Sequence, residues 1–189
     1  QRKINIAYIG INNHEIDLIA PFIEALKCEN VKNSYRLILY GNTISNEKWN
    51  QLGLSEIAEY RGWLDYSKDV STLKDIDVFL QLLDDNNVSK AGWPNKLGDY
   101  LAFGKPVILS PYGDIIDFVK NEKGFFIVEY NKYSILKILQ EIKDIPYSDL
   151  KTMGYANRQL AEKISWKNRA KNIEYICNKI RFNNETVKN

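Results

Sequence analysis

The sequence predicts an α/β domain: a doubly wound, mostly parallel sheet of about six strands with helices on both faces. Three observations carry this. Short runs rich in Ile, Val, Leu, Phe and Tyr recur along the chain at the length of buried strands. Segments with helical apolar spacing separate them. The loops between successive elements are short, as is usual in right-handed parallel crossover units.

The first run, Lys3–Gly10, alternates and then turns apolar, a strand ending in glycine. The loop Ile11-Asn12-Asn13-His14-Glu15 leads to a helical pattern at Ile16, Ile19, Ile23 and Leu26. Pro21 lies inside that pattern, so the helix is kinked or starts late. Tyr35–Gly41 is the second strand, Asn46–Leu54 a short helix and Ile57–Leu64 the third strand. A short helix or turn precedes the fourth, Ile76–Leu83, and the polar stretch Asp84–Trp93 reads as a loop. Pro94 suits the first turn of a helix, where its missing N–H costs nothing. Asn95–Phe103 continues that helix, and Gly104 is a natural left-handed stop. Val107–Ser110 is the fifth strand, Gly113–Glu122 a helix and Gly124–Glu129 the sixth strand. Asn131 is placed to cap a helix bearing Ile135, Ile138, Leu139 and Ile142, which Pro146 ends. Leu150, Met153, Leu160 and Ile164 mark another helix. Trp166, Ala170, Ile173, Cys177 and Ile180 form an amphipathic stripe on the last.

At 189 residues, 44% hydrophobic and 26% charged, the chain reads as one domain over residues 1–181 with a frayed polar tail over 182–189. It opens Gln-Arg-Lys without Met and is expected to be a fragment of a longer protein. No run of 18 apolar residues is present, so no transmembrane segment is expected. A net charge of +2 with scattered basic residues gives no case for a nucleic-acid partner. Cys28 and Cys177 stand alone and read as thiols of an intracellular chain. His14 is the only histidine, which excludes a His-based triad or zinc site within the chain. Asp84 and Asp85 read as a solvated loop, with no third metal ligand visible. Neither a cofactor nor a metal is expected.

The strand–loop–helix–strand unit around Gly92–Val107 is where chemistry is expected. In open α/β sheets, ligands lie outside the carboxyl ends of the strands, against helix N-termini. Pro94, Asn95 and Lys96 fall there. Lys96 and Asp99 share one helix face, while Leu97, Tyr100 and Leu101 share another that can pack on the sheet. An exposed Lys96–Asp99 pair, worth about 0.2–0.5 kcal/mol, is the plain alternative to a ligand role. Gly10, Gly41 and Gly113 sit at or just after strand ends, where a missing Cβ lets a ligand or a turn approach. Trp63 follows Gly62 at the end of the third strand. It can cover the face of an aromatic ligand or simply pack in the core.

The stretch Ala91-Gly92-Trp93-Pro94-Asn95-Lys96-Leu97-Gly98-Asp99 through Gly104-Lys105-Pro106-Val107 resembles the signature of retaining glycosyltransferases of family 4. That signature belongs to the Rossmann-like, nucleotide-sugar-binding half of a GT-B fold. It runs Glu, Gly-Phe-Pro-Asn or similar, a second Glu, then Gly-Lys-Pro-Val. Asp99 stands at the second acid and Ala91 where the first is missing. The basic pair usual in the loop after the first strand is replaced by Ile11–Glu15. The segment from Tyr112 to Glu129 and the closing helix from Ile164 also resemble the family.

The resemblance implies transfer of a sugar, with retention, from a nucleoside-diphosphate sugar to an acceptor hydroxyl, in glycan or polysaccharide biosynthesis. Asp99 would accept hydrogen bonds from the ribose, and Trp63 with Gly62 would lie near the base. Family members often carry an apolar residue at the position of Lys96; at the start of the helix it is expected to meet the diphosphate and supply some of the missing positive charge. The acceptor, a glycan or lipid-linked glycan, would be held by a preceding domain outside these residues. No catalytic residue can be named without it, and the fragment alone is expected to be inactive. The expected location is cytoplasmic, with the inner membrane face open to the full-length protein. A GT-B-like nucleotide-sugar epimerase and a non-catalytic GT-B partner subunit are the alternatives.

Overall fold

The structure, a computed structural model, describes residues 2–110 and 112–186. In chain order it runs β1 (Ile4–Ile11), α1 (Glu15–Leu18), α2 (Ala20–Leu26), β2 (Tyr35–Gly41), α3 (Asn46–Gln51) and β3 (Ala58–Tyr60). Then follow β4 (Val78–Gln81), α4 (Asn87–Ala91), α5 (Asn95–Ala102), β5 (Val107–Leu109), α6 (Ile115–Val119) and β6 (Phe125–Ile127). Three helices close the chain: α7 (Lys132–Ile142), α8 (Tyr147–Lys163) and α9 (Trp166–Thr186). Short 3-10 turns at Leu54–Glu56 and Val70–Leu73 flank β3.

The six strands form one sheet in the order β3-β2-β1-β4-β5-β6, and every pairing is parallel. The predicted fold class therefore holds, with a sheet that is wholly rather than mostly parallel. Strand order reverses between β1 and β4, which opens a crevice at their carboxyl ends. Alternation along the strands sorts side chains to two faces. One layer joins Ile6, Tyr8, Leu37 and Leu39 to Phe22 and Ile23 of α2 and Leu139 of α7. The other joins Ala7, Ile9, Ile38 and Phe79 to Leu97, Tyr100 and Leu101 of α5, Val119 of α6 and Leu160 of α8.

Several boundaries differ from expectation. Of the two readings of the pattern around Pro21, the late start holds for α2, and a separate short helix, α1, precedes it. The pattern breaks at Ile19, so Pro21 lies in the first turn of α2, where its missing N–H is harmless. β3 is only Ala58–Tyr60, and Gly62 and Trp63 lie beyond it. Pro94 is the N-cap of α5, in extended backbone, rather than its first residue. Pro146 likewise caps the start of α8 instead of ending α7. The loop Asp84–Trp93 contains the helix α4, capped by the Asn86 side chain accepting from Ser89 N–H. Helix α9 continues to Thr186, into the stretch 182–189 read as a polar tail, of which 187–189 lie outside the described residues. Asn131 caps α7 as expected, accepting from Ser134 N–H at 2.9 Å.

Helix α8 holds the β5–β6 side of the sheet. Gly154 permits the approach: a Cβ there would lie 2.1 Å from the Gly104 carbonyl oxygen. One turn on, buried Asn157 donates from Nδ2 to the carbonyls of Lys105 and Gly124, at 2.8 and 2.9 Å.

Candidate functional site

Helix α5 is the element on which the site is built. Its packing face is fully buried at Leu97, Tyr100 and Leu101. The Tyr100 ring stacks on Phe79 of β4 at 4.3 Å, nearly parallel, and its hydroxyl accepts the Ile9 N–H of β1 at 3.0 Å. Helix α5 is thus fixed to both strands that flank the crevice. Its opposite face presents Asn95, Lys96 and Asp99, and no side chain caps its N-terminus at Pro94.

These three residues line a pocket of about 320 Å³ with Ile9, Gly10, Gly41, Trp63, Leu64 and Tyr66. The contributions come from the carboxyl ends of β1 and β2, the segment after β3 and the start of α5. The edge of the sheet is the one expected for a ligand. Trp63 is not a core residue: 71% of its surface is exposed. Gly62 does not line the pocket, but its carbonyl accepts Gly41 N–H at 2.9 Å, holding the Trp63 segment to the end of β2. Gly113 lies elsewhere, where a Cβ would be 2.6 Å from the Lys90 carbonyl oxygen; it serves contact between the β5–α6 turn and α4. Pro94 acts through the start of α5 rather than by lining the pocket. A larger cleft, about 530 Å³, lies at the opposite, amino edge of the sheet between Arg2, Asp77 and Tyr147. Arg2 and Asp77 already satisfy one another there, through two hydrogen bonds of 2.9 Å.

Lys96 and Asp99 are not partners. Lys96 crosses the end of β1 above Gly10, where the register of β1 against β2 shifts. Its ammonium donates to the Tyr8 hydroxyl at 3.0 Å and to Glu15 Oε2 at 3.1 Å, and lies 4.3 Å from the Tyr8 ring centre. Tyr8 also donates its hydroxyl to Glu15 Oε2. Burial and the Glu15 carboxylate hold the Tyr8 phenol well above its usual range, so it remains a donor. Asp99 instead accepts from the Tyr66 hydroxyl at 3.2 Å, on the far side of the pocket. Burial and the Asp99 charge raise the Tyr66 phenol as well.

Asp84 and Asp85 are engaged locally. Asp84 accepts from Asn86 and Ser89 at 2.7 Å each, and Asp85 pairs with Lys90. Among the described residues no three His, Cys, Asp or Glu side chains cluster as metal ligands would.

A family described as glycosyl transferases group 1 matches residues 3–144. The chain belongs to this family. The matched stretch contains the entire pocket and all six strands of the group 1 domain. The sequence matches none of the curated proteins.

Among solved structures, the group 1 domain is similar to sucrose-phosphate synthase from Thermosynechococcus elongatus, at 14% identity and a TM-score of 0.71. That match covers 94% of this chain and 45% of the other. The C-terminal domain of the group 1 protein LpcC from Francisella tularensis matches at 14% identity and a TM-score of 0.59, covering 86% and 85%. HepE of Anabaena, in complex with UDP-glucose, matches at 12% identity and a TM-score of 0.62, covering 86% and 44%. At these identities the likeness is one of fold. The chain spans less than half of the synthase and of HepE. No helix among the described residues is long and apolar enough to cross a membrane.

Tyr66, which lines the pocket, and Tyr8 and Glu15, which hold Lys96 from behind it, were not among the candidate residues of the sequence. Tyr66 lies outside the motif, in a segment without regular structure. Glu15 sits in the loop Ile11–Glu15, which stands out in the sequence only by the basic pair it lacks. Tyr8 is an ordinary strand residue by pattern. Each acquires its role from partners far along the chain, and no local signal marks them.

Proposed function

We propose that this domain binds the donor of a retaining GT-B glycosyltransferase, a nucleoside-diphosphate sugar, in the pocket at the carboxyl edge of β1 and β2. The observation that carries the reading is convergence. Gly10, Gly41, Trp63, Asn95, Lys96 and Asp99 come from four separate stretches of chain and line one pocket beside an uncapped helix start. HepE, a protein of similar fold, was solved with UDP-glucose.

In this reading Asp99 accepts hydrogen bonds from the ribose hydroxyls, and Tyr66 holds the carboxylate in place. The indole of Trp63 covers the base, giving an exposed aromatic a partner. The free N–H groups at the start of α5 and the Lys96 ammonium meet the diphosphate. These groups stabilise the charge that develops on the leaving diphosphate as the sugar departs. The acceptor hydroxyl comes from a preceding domain, and the pathway is glycan or polysaccharide synthesis. No metal is required, because the proposed contacts to the diphosphate come from Lys96 and backbone amides.

Titration calorimetry with uridine, adenine and guanine diphosphates and their glucose esters tests the reading. Binding of one base series, retained in EDTA and lost in Asp99→Ala, is the expected result. Binding that disappears with EDTA and returns with magnesium or manganese overturns the metal-free part. Absence of binding by every ligand overturns the site.

A further inference from the structure

Lys96, the cation lining the pocket, is already engaged. Its ammonium lies 3.1 Å from Glu15 Oε2, in a half-buried setting closed on one side by the Tyr8 ring. The other charged group lining the pocket is Asp99. Lys96, with Glu15 paired to it outside the pocket lining and Asp99 across the pocket, gives one excess negative charge at and beside the place where a polyanion is to bind. Neither carboxylate is accidental in position. Glu15 begins α1, where its own N–H and that of His14 are held by the Asn12 side chain at 2.9 and 2.8 Å. Its Oε2 takes two donors, from strand β1 and helix α5.

Chemistry gives this arrangement a use. Transfer breaks the bond between the anomeric carbon and the β-phosphate oxygen, which keeps the electron pair. The acceptor hydroxyl oxygen forms the new bond, and its proton passes to the departing phosphate oxygen and so to solvent. The released diphosphate ends in a free phosphate, which loses a second proton near about pH 6. At neutral pH the product thus carries one more negative charge than the nucleotide sugar, and that charge develops on the phosphate nearest the reacting bond. We propose that Glu15 is a specificity-determining residue: by sharing Lys96 with the bound phosphates, it disfavours the more highly charged diphosphate product relative to the donor. This rests on the donor-site reading above and adds to it a means of limiting product retention.

The experiment compares nucleoside, nucleoside diphosphate and nucleoside-diphosphate glucose of uracil, adenine and guanine, by titration against the wild-type chain and Glu15→Gln. Gln keeps the shape and can still accept from Tyr8, so the change is chiefly one of charge. The expected result is a diphosphate affinity about threefold to tenfold tighter in the variant, a smaller gain for the sugar ester, and none for the nucleoside. The ratio of product to donor dissociation constants falls accordingly. A ratio unchanged by the substitution overturns the proposal. So does a weaker diphosphate affinity, which would make Glu15 a residue that merely positions Lys96.

Should the variant fail to fold, the wild-type chain decides through salt. Raising ionic strength from about 20 mM to about 500 mM screens exposed charges. Product affinity should then improve relative to donor affinity; the opposite trend, expected of a net cationic site, overturns the proposal. A wild-type chain that binds none of the ligands overturns the donor-site reading and this inference together, whereas binding with an unchanged ratio removes the inference alone.

Discussion

The Tyr66 hydroxyl reaches Asp99 Oδ2 at 3.2 Å, joining the segment after β3 to the exposed face of α5 across the mouth of the pocket. Asp99 is thereby bonded to Tyr66 and not to Lys96, one turn earlier on the same helix. If Asp99 accepts ribose hydroxyls, Asp99→Ala should weaken nucleoside diphosphate binding by about 1.5–3 kcal/mol, roughly tenfold to a hundredfold. A ligand without both ribose hydroxyls should lose far less. Tyr66→Phe should cost less than Asp99→Ala, because the carboxylate remains. Calorimetric titration of both variants checks this; an Asp99→Ala change under about twofold removes the assignment.

Lys96→Ala should weaken a diphosphate more than a nucleoside, and the effect should shrink as salt screens the partly exposed charge. The loss has two sources. The ammonium is gone, and Glu15 is left beside the pocket without its counter-ion. Titrations of uridine and UDP at low and high salt separate charge from packing. Equal losses for both ligands would mean that Lys96 acts only by supporting the pocket wall.

Trp63 should matter for binding and hardly at all for stability. Its indole is mostly exposed, so Trp63→Ala should change unfolding free energy by no more than about 0.5 kcal/mol. If the base lies against it, nucleotide affinity should fall by about 1–3 kcal/mol, the range for an aromatic–base stack. Urea unfolding and nucleotide titration of one variant preparation give both numbers. A stability loss with unchanged affinity would return Trp63 to a packing role.

Asn157→Leu should destabilise the fold by about 1–3 kcal/mol, since the Lys105 and Gly124 carbonyls lose their buried donor. The loss is moderated because Asn157 Oδ1 is itself buried without a partner. The urea midpoint should fall with little change in slope. An unchanged midpoint would show that the carbonyls find other donors.

Acid should weaken the link between the end of β3 and the turn before β4. Arg61 grips Asp75 with two hydrogen bonds, of 2.9 and 2.8 Å, and these hold the Asp75 carboxyl below its usual value. A depressed carboxylate stabilises the fold fully above its unfolded value, near about 4. That contribution is lost as pH falls through the lower, folded value. Unfolding measured from neutral pH downward should show this acid-side slope reduced in Asp75→Asn. An unaltered slope would place the acid sensitivity at other carboxylates.

The fold was legible because periodicity is local. β1, β2, β4 and β5 stand out as apolar runs, whereas β3, Ala58-Glu59-Tyr60, has no such run and reads shorter in the structure than in the sequence; Asn131 announces α7 through its cap. Lys96 was legible as a site residue but not in its state, since its partner Glu15 is 81 residues away in sequence. Helix α4 was hidden because Asn87–Ala91 buries nothing and so has no apolar stripe to read. The stripe on α9 was real as a pattern, yet Trp166, Ile173 and Ile180 are exposed. Apolar spacing along a helix shows that one face is apolar, not that anything within these residues covers it.

The wholly parallel sheet has a consequence for how the chain reaches this structure. It contains no hairpin, so no two strands can pair before an intervening crossover has been looped out. β1 is bonded on one side to β2 and on the other to β4, where Asn5 N–H meets the Asp77 carboxylate across 72 residues. Long closures of this kind precede the energetic return from pairing, and such topologies fold more slowly than helical ones of equal stability. The central strand must therefore wait for β4 before both of its edges are satisfied. Until then it offers an unpaired apolar edge to any neighbouring chain.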